Sequence, residues 1–235
     1  MRKILVLLTT LVLLVGCGGD DDSESSDSTT IPPITQPTPE QDKQRAGRIV
    51  LTAADLPGYT EDTSPDEDDD EVDRAFAACV QNDPVLTAEE PENPRTVDGK
   101  DFDKGDELSV GSSATIAETQ EQAQAAMTQL RNQTVLDCLQ SAFRRELAAS
   151  LDPGVSLRSV AVSALPVATA GDEAVGVRVP ATLSAAGETV QVTSDVTAIR
   201  RERAVAFLVT NGVGSRFSNS EREALATKMA DRMVV

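Results

Sequence analysis

The chain of 235 residues predicts an α+β fold: a single domain in which an antiparallel meander sheet of about five strands has helices packed on it, behind a disordered N-terminal tether. Three observations carry this. After Pro153-Gly154 the apolar period is two, over 155–165, 174–183, 189–199 and 204–210, which makes four consecutive half-buried strands. Before that point Ala123, Ala126, Met127 and Leu130, then Val135, Leu139, Phe143 and Leu147, recur at helical spacing. From Gly18 to about Gln44 the residues are Gly, Asp, Ser, Thr, Pro and Gln with almost no bulky apolar side chain, a composition that cannot bury a core.

The N-terminus has Arg2 and Lys3, then an apolar run from Ile4 to Val15, then Gly16-Cys17, the layout of an export signal. The run of 12 residues is too short for a helix that crosses a bilayer, which takes about 20. Leu14-Val15-Gly16-Cys17 resembles the bacterial lipobox, in which small residues before the cysteine admit a lipoprotein signal peptidase. An ordinary secretory signal is the alternative, but it favours an Ala-x-Ala site and none is present. The resemblance implies cleavage between Gly16 and Cys17 and lipid, palmitate included, on Cys17. Two or three chains there give stable attachment where one does not. The expected organisation is a cleaved signal peptide over 1–16, a lipidated cysteine plus disordered linker over 17–45, and one α+β domain over 46–235. The expected place is the outer face of the plasma membrane, with the lipid anchor as the membrane contact.

Composition excludes several function classes. The net charge is −18, and −20 once the two basic residues of the signal are gone, so nucleic acid is not an expected partner and anionic lipid repels the domain itself. With no His, the chain has no Ser-His-Asp or Cys-His nucleophile and no imidazole-ligated zinc. No Ser-x-x-Lys replaces them. With no Trp, one Tyr and five Phe, aromatic platforms for sugars are scarce. Carboxylate pairs for glycoside-type hydrolysis carry no signal in a chain with 39 acids. The expectation is therefore a protein that is not an enzyme and has no cofactor.

Along the domain, 46–56 reads as a short helix stopped by Pro57-Gly58. Nine acids then fall within 61–73, but an EF-hand loop started at Asp66 puts Glu71 where Gly is needed and Ala77 at the bidentate twelfth position. A start at Asp101 puts Ser112 there, so no metal site is expected and the run reads as a solvated loop, with weak nonspecific divalent binding as the alternative. Residues 72–81 form an amphipathic helical turn or two, 83–106 a long loop, and 108–116 a half-buried strand. The stripes over 118–130 and 135–147 are two helices or one continuous helix. Arg200-Arg201-Glu202-Arg203 marks the last hairpin turn, as a solvated tip or a phosphate site. Ser218-Asn219-Ser220-Glu221 is a capping box that opens a helix with Leu225, Met229 and Met233 facing inward.

Cys17 taken by lipid leaves Cys79 and Cys138, each on an apolar helical stripe, in an oxidising compartment. They form a disulfide that clamps two helices, or remain two buried thiols. Closing a loop of about 60 residues stabilises by about 4 kcal/mol in the chain-entropy model.

Leu51-Thr52 and Asp55-Leu56-Pro57-Gly58-Tyr59, the placement of Cys79 and Cys138, Gly171-Asp172-Glu173-Ala174 at a strand start, and a strand over 205–209 before a terminal helix carry a resemblance over roughly 47–233. It is to actinobacterial lipoproteins and to the extracellular sensor domains of actinobacterial receptor-type serine/threonine kinases. The chain departs from these in having Tyr59 where Trp is common and one cysteine pair where the kinase sensors have two. The resemblance implies an antiparallel sheet with packed helices, a groove for a ligand, and no catalytic residues. The expected function is a binding or sensor-like module for a small apolar ligand or envelope component. A structural lipoprotein docking on another envelope protein is the alternative, and a carboxylate-based hydrolase the third reading.

Overall fold

The computed structural model describes residues 37–63, 70–88, 93–151 and 153–234. Gly16, Cys17, the linker as far as residue 36 and residues 64–69 of the acidic run lie outside them. In chain order the elements are α1 (Pro39–Ile49), β1 (Thr60–Glu61), α2 (Asp70–Cys79), β2 (Thr96–Asp98), β3 (Phe102–Lys104), β4 (Leu108–Ile116), α3 (Gln120–Leu130), α4 (Gln133–Ser150), β5 (Val155–Val160), β6 (Ser163–Leu165), β7 (Glu173–Ala185), β8 (Glu188–Arg201), β9 (Ala204–Val213) and α5 (Asn219–Arg232).

Every strand pair is antiparallel, in the order β1-β3-β4-β9-β8-β7-β5, with β2 beside β4 and β6 beside β7. The expected four-strand meander is present as β5 and β6, then β7, β8 and β9, and β4 adds to β9 by a long-range pairing. Residues 155–165 split into β5 and β6, which both pair with β7. The stretch expected as a long loop holds β2 and β3, strands of three residues each that are too short to show alternation. The 118–147 region is two helices: Asn132 leaves the helical conformation and its side chain caps α4 by accepting from the Thr134 amide at 2.9 Å.

The first helix differs from expectation at both ends: it starts at Pro39, inside the stretch assigned to the linker, and stops at Ile49. The Thr38 hydroxyl accepts from the Gln41 amide, the Gln41 side chain accepts from the Thr38 amide, and Pro39 supplies a preset φ in the first turn. Such a cap outweighs the tether-like composition around it because α1 also buries Ala46 and Ile49 completely.

Helices cover both faces of the sheet. On one face α1 and α5 seal a core around Ile49, Phe102, Ile116, Leu208, Met229 and Met233. Asp42 pins α1 there, accepting from Arg203 at 2.8 Å and Arg95 at 3.1 Å. The hairpin arginines are therefore anchors and not a solvated tip. Arg200 pairs with Glu173 at 2.9 Å and Asp172 at 3.4 Å, and Arg201 donates to the Ala230 carbonyl at 3.1 Å. Gly171 makes this approach possible: its φ is +66°, and a Cβ there would lie 2.5 Å from the Arg200 carbonyl oxygen. Ser218 caps α5 as expected, but the Glu221 carboxylate turns to the Tyr59 hydroxyl, which donates to it at 3.2 Å. Burial and that carboxylate push the Tyr59 hydroxyl up to about 12.

Asp55 closes the same face. Burial works against its charge, but a 2.6 Å bond from Arg232 and bonds from the Thr52 amide and hydroxyl outweigh it and hold the carboxyl at about 2. A depressed folded-state value stabilises above the unfolded value near 4, and the contribution disappears as pH falls from about 4 through about 2. Asp55→Asn is expected to flatten the acid limb of a urea-stability profile in that window, by about 2 kcal/mol. An unchanged limb would show that other carboxylates carry it.

Candidate functional site

The opposite face of the sheet is only partly covered, and there the described residues form a groove of about 1010 Å³. This is the upper end of the range for small-molecule sites. Its floor follows from the strand register. Val177 of β7 pairs with Val196 of β8, which pairs with Val209 of β9, so the three side chains lie in one row. Val179, Ala181, Val192 and Phe207 extend that floor. Leu139, Phe143 and Leu147 of α4 and Leu130 of α3 form one wall, and Phe76 and Ala77 of α2 with Leu86 on the following turn form another. Of the twenty described lining residues only Arg74, Thr87, Asp98, Ser113 and Ser194 are polar or charged, which makes the site a receptor for apolar surface.

The wall contributed by α2 depends on a cross-link. Cys79 and Cys138 form a disulfide, with Cα atoms 5.6 Å apart and 59 residues of sequence separation, and it joins α2 to α4. Helix α2 packs chiefly on α4, so its position over the groove is set by α4 and the disulfide more than by the sheet.

Behind the floor lies a buried charge cluster. Arg178 of β7 donates from Nε and Nη2 to the two carboxylate oxygens of Asp195 on β8, at 2.6 and 2.5 Å, and Arg222 of α5 donates from Nη1 at 2.8 Å. The Asp195 and Arg222 side chains are 3% and 1% exposed, and hydrogen bonding to Asp195 raises the Arg178 pKa. Because residues alternate in direction along β7 and β8, this cluster stiffens the strands whose other faces are Val177, Val179 and Val196.

Of the residues singled out in the sequence, Cys79 and Cys138 meet and contribute to the site, while Gly16 and Cys17 lie outside the described residues. The valines of β7, β8 and β9 share one face, as their alternation implied, and that face is the groove floor. The acidic run contributes Glu61 to β1 and residues 70–73 to α2. Among the described residues no three His, Cys, Asp or Glu side chains gather into a metal site, and Asp98 is the one carboxylate that lines the groove. Asp98, Ser113 and Arg74 carried no signal in the sequence as groove residues, because their common location follows from pairing and packing across more than a dozen residues.

Among the described residues no helix is long and apolar enough to cross a membrane. No protein-family model matches the chain, and no curated protein matches it. Solved structures similar to it include the extracellular domain of PknH from Mycobacterium tuberculosis, at TM-score 0.38 and 12% identity over 81% of this chain and 95% of that one. Another is LpqN, involved in cell envelope biogenesis of the same organism, at TM-score 0.27 and 14% identity over 56% of this chain and 61% of that one. Both neighbours are extracellular or envelope proteins by description, at a likeness too low to carry an assignment, so a functional reading rests on the groove.

Proposed function

We propose that the domain is a non-enzymatic binding or sensor-like module that holds a small apolar ligand or envelope component in the groove, anchored outside the plasma membrane by lipid on Cys17. The single observation that carries this reading is the groove itself: about 1010 Å³, lined among the described residues by fifteen apolar side chains and five polar or charged ones. The disulfide supports an oxidising compartment, and the lipobox-like Leu14-Val15-Gly16-Cys17 supports the anchor. A carboxylate-based hydrolase finds less support, since glycosidic cleavage needs two acids flanking one bond and, among the described residues, Asp98 is the one acid that lines the groove.

The test is titration of the purified domain with an environment-sensitive apolar dye, followed by displacement with a series of straight-chain alcohols. Affinity is expected to rise about fourfold for each added methylene until the groove is full. Val196→Asp places a carboxylate in the middle of the floor and should weaken dye binding more than tenfold while the far-UV circular dichroism stays unchanged. A dye that does not bind the wild-type protein, or binds V196D equally well, would remove the groove from consideration.

A further inference from the structure

A hydroxyl stands in the middle of the groove floor. Ser194 lies on β8, the central one of the three floor strands, between Val192 and Val196, and all three residues line the groove. Alternate residues of a strand share a face at a repeat of roughly 6–7 Å. The neighbours of Ser194 across the ladder do not serve its hydroxyl. Val179 on β7 is apolar, and Asn211 on β9 donates its amide to Ser109 at 3.0 Å. Ser194 is half-buried, and its hydroxyl makes no hydrogen bond among the described residues. The other polar and charged lining residues are placed differently. Thr87 donates its hydroxyl to the Asp83 carbonyl at 2.9 Å, Arg74 and Asp98 are exposed and engaged with other residues, and Ser113 lies on β4, outside the three floor strands. On either side of Ser194 along the strands the floor is apolar: Val196 with its register partners Val177 and Val209 on one side, Val192 with Ala181 on the other.

On the reading that the groove binds ligand, we infer that its ligand is an uncharged long-chain ester whose polar function is internal. Its carbonyl oxygen accepts from the Ser194 hydroxyl, and a hydrocarbon arm runs along β8 to each side. A lipid with its polar group at one end can put that group on Ser194 only by leaving one of the two apolar stretches unfilled, and each unfilled methylene gives up burial. A pure hydrocarbon fills both stretches but covers the Ser194 hydroxyl without a partner, which costs the desolvation of that group. An ester carbonyl in mid-chain meets both demands, because a serine hydroxyl donates one hydrogen bond and no charge is present on the floor to select an ion.

The test displaces the apolar dye from the full mature chain with two isomers delivered from cyclodextrin: octyl nonanoate, whose ester is in mid-chain, and methyl hexadecanoate, whose ester is at one end. The two have the same atoms and differ only in where the ester sits. Octyl nonanoate is expected to compete about fivefold more tightly, the worth of one neutral hydrogen bond. Ser194→Ala should bring the two isomers to equal affinity, and Ser194→Thr, which keeps the hydroxyl, should keep the preference. Equal competition by the isomers in the wild-type protein, a preference that survives Ser194→Ala, or failure of both isomers to displace a dye that does bind overturns the ester assignment and leaves the groove reading intact. A dye that does not bind the wild-type protein overturns both.

Discussion

Cys79→Ala with Cys138→Ala is expected to lower unfolding stability by about 4 kcal/mol, because the cross-link removes the closure entropy of a loop of 59 residues from the unfolded chain. For a domain of this size that corresponds to a fall in Tm of roughly 8–16 °C. The second effect is local and more informative. Helix α2 is held chiefly against α4, so without the disulfide the wall carrying Phe76 and Ala77 loses its fixed place over the floor. Dye affinity should fall at temperatures well below the new Tm, where the sheet is still folded. A variant that unfolds earlier but binds the dye unchanged would show that α2 is placed by its own packing.

The charge cluster behind the floor makes the second large prediction. Asp195→Ala leaves the Arg222 guanidinium buried without its counter-charge, and breaking such a pair from one side costs about 3–5 kcal/mol. Arg222 has little to fall back on, since its Nε has no hydrogen-bond partner among the described residues. Arg178, about a quarter exposed at its side chain, can swing its head to solvent. Asp195→Leu combined with Arg222→Met should therefore recover most of the loss, because replacing both ions by apolar side chains of similar volume removes the desolvation cost along with the attraction. Urea denaturation of the single and double variants measures the coupling. Additive losses would mean that the cluster is not coupled, and that Asp195 acts only through its own packing.

Much of the fold was legible because its signals are local. Alternation over 155–165, 174–183, 189–199 and 204–210 named the meander strands, and the stripes of Ala123, Met127, Leu139 and Phe143 named the helical stretch without deciding between one helix and two. The misreadings have local causes as well. Thr38-Pro39-Glu40-Gln41 is a legible capping box with Pro in the first turn, but it sits in a stretch whose composition reads as a tether. Strands β2 and β3 are too short to show a period, and Arg200 and Arg203 lie at a turn where exposure is the ordinary outcome.

By itself the sequence determined the longer strands, the helical stretches and which face of each is apolar. These are properties of neighbours two to four residues apart. Only the tertiary structure decided that the valine faces of β7, β8 and β9 form one floor, and that α2, α3 and α4 leave part of it uncovered. It also decided that Asp98 stands opposite Ser113, because register and helix placement are set by contacts between residues far apart in the chain.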